Sequence, residues 1–168
     1  MDFSRLPKNA RDFLQTFFIN REINREFYRL VPEEKFDFRM VDNYHRKSDS
    51  PRESLIHQID TTRDYVNGLK SGELKFGINY ADLHPHFRLS KDKLLKLLTK
   101  SETELIEALS DKSISEKKVK VPWSTKSVPA LSAIWGLNNH EILHTGWNLA
   151  IMDHLNIHRY PSIAKVWG

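Results

Sequence analysis

The sequence VPALSAIWGLNNHEILHTGWNLAIMDH, residues 128–154, decides the fold. A helix drawn through it carries apolar residues on nearly every side: Leu131, Ile134, Trp135, Leu137, Ile142, Leu143, Trp147, Leu149, Ile151 and, just beyond, Leu155. A helix with so little polar surface is typical of a protein interior. The stretch therefore predicts a long helix from about Val128 to His154, and this helix should be the most buried one in the chain.

Three further helical patterns precede it, because apolar residues recur there at three-to-four spacing. They run from Ala10 to Val31, from Ser50 to about Gly72, and from Ser90 to about Ser110. The second has the clearest start, since residues 50–53 (Ser-Pro-Arg-Glu) combine an N-cap serine, a proline at the first helical position and a glutamate three residues after the cap. Residues 119–123 suggest a short hairpin, and residues 73–89 suggest a long, ordered connection.

These patterns predict an all-α protein, an antiparallel four-helix bundle with long connections. The length of 168 residues and the 39% hydrophobic content suit a single domain over residues 1–168. No run of about 18 apolar residues is long enough to span a membrane, and no signal-peptide pattern opens the chain, so we expect a cytoplasmic protein. The net charge of +4 is small, and basic and acidic residues are interspersed along the chain. This distribution argues against nucleic acid as a partner.

His140 and His144 are the candidate metal ligands of the last helix. They lie one turn apart, offset by about 40° around the helix, so both imidazoles can reach one ion. The face that they share includes Gly136 and Ile151, so it should point toward the core. The chain has no cysteine, which leaves histidine and carboxylate as ligands for any metal. A second pair at the same spacing, His154 and His158, is better explained by a favourable interaction with the dipole at the C-terminal end of the helix.

A catalytic metal site usually has three protein ligands and an open position, so a third ligand is needed. His57 in the second helix and His45 in the preceding loop are the candidates, although His57 lies about 140° from the centre of that helix's apolar stripe. Asp60 and Asp64 follow on the same helix. They can accept hydrogen bonds from metal ligands, or they can form a solvated acidic face.

The motif His140-Glu141-x-x-His144 also allows a zinc protease in which Glu141 acts as the general base. Only 24 residues follow His144, and such proteases need a third ligand downstream. His154 is the one candidate there within the helix. This alternative is the least favoured.

The whole chain resembles the DinB superfamily of DinB/YfiT-like metalloenzymes. The resemblance lies in the helix start at residues 50–53 followed by His57, and in the run His140-x-x-x-His144-Thr145-Gly146. Trp147 stands where many members have glutamine, and Gln58 stands where an aliphatic residue is common. The resemblance implies a four-helix bundle with a three-histidine site made of His57, His140 and His144.

The resemblance implies a metal-dependent enzyme, a thiol S-transferase or a small-molecule hydrolase acting in detoxification or stress response. Its cofactor would be a divalent metal ion (zinc, nickel or iron), which imidazole ligands suit, with a low-molecular-weight thiol as the co-substrate of a transferase. Its partners would be a small-molecule substrate and a second copy in a homodimer. The alternative is a non-enzymatic stress or binding protein with a structural metal site. No general base stands out, and the residues expected to line the pocket are Tyr44, Tyr65, Asn138, Asn139 and Trp147.

Overall fold

The chain is mostly helical, as the apolar periodicity predicts, in a computed structural model that describes residues 3–4, 6–77 and 84–167. The helices are α1 Lys8–Leu30, α2 Pro51–Ser71, α3 Lys91–Leu109, α4 Ala130–Ala133, α5 Trp135–Leu155 and α6 Pro161–Trp167, with a 3-10 turn at Glu33–Lys35. Two short strands, β1 Lys118–Val119 and β2 Val128–Pro129, pair antiparallel. Within the described ranges, no helix is both long and apolar enough to cross a membrane.

The start of α2 is fixed by the hydrogen bonds that its sequence predicts. The Ser50 hydroxyl accepts from the Glu53 amide, and the Glu53 carboxylate accepts from the Ser50 amide, which completes a capping box with Pro51 at the first position. Gly72 ends the helix with φ +83°, a left-handed conformation that glycine adopts without steric cost. Both predicted ends are confirmed.

The fourth predicted helix begins later than the pattern indicates. Val128 and Pro129 form β2, paired in register with Val119 and Lys118. Proline disfavours helical dihedral angles in the residue before it, so Val128 is extended. The single turn α4 follows, and Ile134 separates it from α5. The prediction of a helix from Val128 was therefore wrong for Val128 and Pro129, and the predicted single helix is divided at Ile134 into α4 and α5.

The expectation that this helix is the most buried one was also wrong. Leu143 is 73% exposed and Ile142 is 37% exposed. The buried positions of α5 are instead largely polar: Asn138, Glu141, His144, Thr145 and Asn148. The helix turns part of its apolar surface outward because hydrogen-bonding partners on other helices hold its polar side inside.

Paired contacts show the relative directions of the helices that build the site. Between α1 and α5, Asn20 bonds Asn138 and Asn24 bonds Asn148, so the two helices run in the same direction. Between α2 and α5 the order is reversed, because Ser54 meets His144 whereas the later Gln58 meets Glu141.

The connection between α2 and α3 is long because α3 runs in the same direction as α2. Arg52 donates to the Leu89 carbonyl just before α3, and Arg63 lies 3.8 Å from Glu104 further along. Residues 72–90 must therefore return the chain to the end at which α2 begins. Residues 78–83 of this connection, including the predicted loop residue Asn79, lie outside the described residues.

The core has two apolar clusters with a polar layer between them. One cluster contains Phe13, Phe17, Leu69, Leu105 and Leu137, and the other contains Phe27, Leu55, Leu94, Leu98 and Ile151. The polar layer contains Arg21, Asn24, Gln58, Glu102 and Glu141, all of them buried. The candidate site lies at the level of this layer.

Candidate metal centre

Three imidazoles converge where α2 faces α5. The Nε2 atoms of His57 and His140 are 2.9 Å apart, and those of His140 and His144 are 3.2 Å apart. Two nitrogen ligands on one tetrahedral zinc ion, at ordinary bond lengths, lie about 3.4 Å from each other. The three nitrogens are therefore spaced as ligands of a single ion would be, and His57, His140 and His144 can hold a metal ion.

The opposite directions of α2 and α5 create this convergence. His140 and His144 are one turn apart on α5, and His57 reaches them from α2. His144 is 9% exposed, His140 is half-buried and His57 is exposed. The site therefore has a buried floor and a side that is open to solvent, and the sequence wheel places His57 correctly on the outer part of its helix.

Burial keeps the two histidines of α5 neutral. It lowers the pKa of His140 to about 4, with smaller contributions from the neighbouring His57 and from Arg21. Burial also lowers the pKa of His144 well below its ordinary value, and His140 and His57 add to the effect. Neutral imidazole is the form that binds metals.

The second nitrogen of each α5 histidine has a different environment. His144 Nδ1 lies 2.7 Å from the hydroxyl of Ser54, which is itself buried. When Nε2 binds an ion, Nδ1 carries the hydrogen and donates it to Ser54, which fixes the ring. His140 Nδ1 is buried and has no hydrogen-bond partner among the residues that the structure describes.

Glu141 points away from the three histidines and into the polar layer. Arg21 donates to both of its carboxylate oxygens, at 2.6 and 3.0 Å. Asn24 and Gln58 donate to one of them, at 3.0 and 3.1 Å. Burial raises the pKa of Glu141, and Arg21 opposes that rise. Because this carboxylate is fully buried in an ion pair with Arg21, the geometry gives the protease alternative no support.

Arg21 is an important residue that the sequence did not single out, and Gln58 was noted only as a departure from the resemblance. Gln58 has the position where the resemblance suggests an aliphatic residue, and its amide instead joins α2 to Glu141. Arg21 also donates to Thr62 of α2. The signal available in the sequence is a polar stripe on α1, in which Asn20, Arg21 and Asn24 recur at helical spacing among apolar residues.

Two cavities flank the imidazoles. The first, of about 600 Å³, is lined by His57 and His140 together with Tyr65 and Asn139. The second, of about 470 Å³, is lined by all three histidines and Trp147. Tyr65, Asn139 and Trp147 were expected at a pocket and lie there.

Two residues that were expected to line the pocket do not do so. Asn138 is buried and bonds Asn20. Tyr44 is 97% exposed and lies in the loop before α2.

A second group of possible ligands lies nearby, one turn further along α2. Asp60 Oδ2 lies 2.7 Å from His84 Nε2, and His86 completes the group. The His86 amide donates to His84 Nδ1. In the neutral ring, the hydrogen of His84 is therefore on Nε2 and points at Asp60. Hydrogen bonds within the protein therefore account for both nitrogens of His84, whereas His86 Nδ1 is buried without a hydrogen-bond partner among the described residues.

The remaining histidines lie outside the triad. His45, the alternative third ligand, is exposed and contacts Tyr44 edge-on. His154 lies in the last turn of α5 and stacks on Phe38 at 5.2 Å, and His158 is in the segment that follows. Their placement near the end of the helix agrees with the expected interaction with the helix dipole.

No protein-family model matches the chain, and neither does any curated protein.

Proposed function

We propose that this chain is a metal-dependent enzyme of the DinB superfamily type, which binds one divalent ion through His57, His140 and His144. The observation that carries the proposal is the convergence of three Nε2 atoms. The Nε2 atom of His140 lies 2.9 Å from that of His57 and 3.2 Å from that of His144. Because these atoms face one another and not a carboxylate, an ion satisfies all three lone pairs at once. Three imidazoles suit zinc, nickel or iron.

The proposed architecture is a four-helix bundle made of α1, α2, α3 and α5. Contacts between α1 and α5, α2 and α5, α2 and α3, and α1 and α3 support it. Neighbours in the bundle are antiparallel in two of these pairs and run in the same direction in the other two. The long α2–α3 connection allows this order, which bundles with crossover connections share.

The open side of the site supports a catalytic role over a purely structural one. Structural zinc sites are closed by four protein ligands, whereas catalytic sites keep a position for water or substrate. Here the group has three histidines, His57 is exposed, and two cavities reach the imidazoles. A bound ion would supply Lewis-acid activation of a water, a thiol or a carbonyl group.

The proposed reaction is transfer of a low-molecular-weight thiol to an electrophile, or hydrolysis of a small molecule, in cytoplasmic detoxification or stress response. The two cavities support a small-molecule substrate, because each has a volume in the range of ligand sites. The residues of the chain orient the imidazoles: Ser54 holds His144, and the Arg21–Glu141 pair anchors the α5 turn that carries both histidines. The homodimer that the resemblance implies stays a prediction.

Metal analysis of the purified protein tests the proposed site. The parent protein should bind one equivalent of zinc after loading, and His57→Ala, His140→Ala and His144→Ala should each lose it. His154→Ala on the same helix and His84→Ala in the second histidine group are matched controls and should retain it. Retention of the metal by the three triad variants would contradict the proposal.

Two assays then separate the reaction classes. Zinc-loaded protein is incubated with cysteine and a bimane electrophile for transfer, and with a nitrophenyl ester for hydrolysis. Turnover should require the metal and disappear in His144→Ala. Equal rates for metal-free and zinc-loaded protein in both assays would refute the enzymatic proposal while leaving the metal site intact.

A further inference from the structure

The first cavity has a size and shape suited to a small ligand. Its volume is about 600 Å³, within the usual range for sites that bind small molecules. His57 and His140 form one side of it, so a molecule bound there contacts the imidazoles directly. Most of the remaining wall is apolar.

Aromatic rings form that apolar wall. Phe76 lies 5.8 Å from Tyr65 and 6.4 Å from Trp123, with its ring within 24° of parallel to the indole. Trp135 lines the same cavity. Phe76 is 45% exposed and Trp123 is 56% exposed, although both are large apolar side chains. Exposed apolar surface that is contiguous and lines a cavity marks a binding site.

The shape of the cavity depends on a glycine in α5. A Cβ atom at Gly136 would lie 2.3 Å from the Tyr65 hydroxyl oxygen and 3.5 Å from the Trp123 ring. The absence of a side chain there lets the hydroxyl end of Tyr65 approach the backbone of α5 closely. Any larger residue would push Tyr65 away from α5 and alter the wall of the cavity.

The polar groups of the cavity include the hydroxyls of Thr61, Tyr65 and Ser132. His57 and His140 offer imidazole nitrogens, and Asn139 and Asp64 add an amide and a carboxylate. Asp64 is partly engaged, since it accepts a hydrogen bond from the Gly77 amide at 3.3 Å. A ligand that complements this cavity therefore has an apolar surface for the aromatic wall and a hydrogen-bonding group for the imidazoles.

We propose that this cavity binds a small planar aromatic molecule bearing one hydroxyl or similar group. The aromatic ring contacts Phe76 and Trp123, and the polar group faces His57 and His140. Aromatic surfaces prefer offset or edge-to-face contact with other rings, which selects a planar ring over a saturated one of equal size. The proposal names the substrate class of the proposed enzyme and rests on it only for the contact of the polar group with the metal.

Equilibrium dialysis with 2-naphthol and its saturated analogue decahydro-2-naphthol tests this inference. Zinc-loaded protein should bind 2-naphthol roughly tenfold more tightly than the saturated alcohol, because each favourable ring contact strengthens binding by roughly two- to tenfold. Phe76→Ala and Trp123→Ala should each weaken the binding of 2-naphthol by roughly two- to tenfold, because each variant loses one ring contact. Both side chains are half-exposed, so these variants should fold, and Tyr44→Ala, at an exposed position outside the cavity, is the matched control.

Gly136→Ala provides a second perturbation that does not remove an aromatic ring. It should weaken the binding of 2-naphthol while zinc binding stays at one equivalent. Equal affinities for the two alcohols, or equal binding by the parent and the Phe76 and Trp123 variants, would overturn the inference.

Dialysis of the metal-free protein separates this inference from the proposed function. Selective naphthol binding in a protein that fails to bind zinc would refute the metal site and support the cavity. Zinc binding without naphthol selectivity would support the metal site and refute the proposed ligand of the cavity.

Discussion

Among the residues that the structure describes, two histidine clusters lie one helical turn apart along α2, and they differ in what the imidazoles face. In the first, His57, His140 and His144 point their Nε2 atoms at one another. In the second, His84 points Nε2 at the carboxylate of Asp60 and receives the His86 amide on its other nitrogen. The first cluster has three converging Nε2 atoms with no carboxylate among them, whereas in the second both nitrogens of His84 have hydrogen-bond partners and His86 Nδ1 has none among the described residues.

Both groups could hold a metal ion by the spacing of their ligand atoms, so the comparison teaches that the two differ in the partners of their imidazoles. The buried Arg21–Glu141 ion pair also anchors the turn of α5 that carries His140 and His144. The Asp60–His84 pair is only partly buried. The two clusters should therefore respond differently to mutation and to metal.

The largest effect should come from the polar layer beneath the triad. Arg21→Ala removes two hydrogen bonds from Glu141 and leaves that carboxylate buried without its cation, so the free energy of unfolding should fall by about 3–5 kcal/mol. Chemical denaturation monitored by circular dichroism measures this change. Arg29→Ala, which removes an exposed ion pair with Glu22 on the same helix, should change it by less than about 1 kcal/mol. Equal losses in the two variants would show that the layer contributes no special stability.

Zinc should stabilise the folded chain through the triad alone. At a free zinc concentration of 100 times the dissociation constant, the free energy of unfolding should rise by about 2.7 kcal/mol. Thermal unfolding with zinc and with a chelator measures the difference. His57→Ala should abolish it and His84→Ala should preserve it. If His84→Ala lost the stabilisation by zinc, the result would indicate that zinc binds to the second cluster and not to the triad.

Ser54 should tune metal affinity through His144. Ser54→Ala removes the partner of His144 Nδ1, and changes of this type weaken metal binding by about 10- to 100-fold. Competition with a chromophoric chelator measures the affinity. Ser101→Ala is the matched control, because Ser101 is also buried but bonds the Leu98 carbonyl on α3. Unchanged affinity in Ser54→Ala would show that the hydroxyl does not orient the ring.

The smallest effect should come from the second cluster. Asp60→Asn keeps an oxygen that can accept from His84 Nε2, so the free energy of unfolding should change by about 1 kcal/mol or less. Zinc stoichiometry should stay at one equivalent. A drop in stoichiometry after this change would make Asp60 a metal ligand.

The two ends of α2 were predictable because they depend on local contacts. The capping box of Ser50 and Glu53 joins residues three apart, and Gly72 ends α2 through its own backbone. The spacing of His140 and His144 is local in the same sense. His57 was identified through its resemblance to a known pattern, since its position on the helix wheel indicated only a surface residue.

The orientation of α5 was not predictable from its composition. Its apolar residues suggested burial on every side, but Leu143 faces solvent while Asn138 and Glu141 face inward. The partners of these polar residues are on α1, about 120 positions earlier in the chain. Periodicity within one helix contains no information on such distant partners, so it reports how apolar the helix is and not which side turns inward.

The polar layer also restricts how this sequence can diverge. Arg21, Gln58 and Glu141 share one set of hydrogen bonds across three helices. An apolar residue in place of Arg21 or Glu141 removes the ion pair and leaves the opposite charge in the interior, whereas a coordinated exchange of all three positions for apolar residues does not. Natural variants of this chain should therefore replace these positions together, and their covariation should reveal the contacts of α5 where its hydrophobic pattern does not.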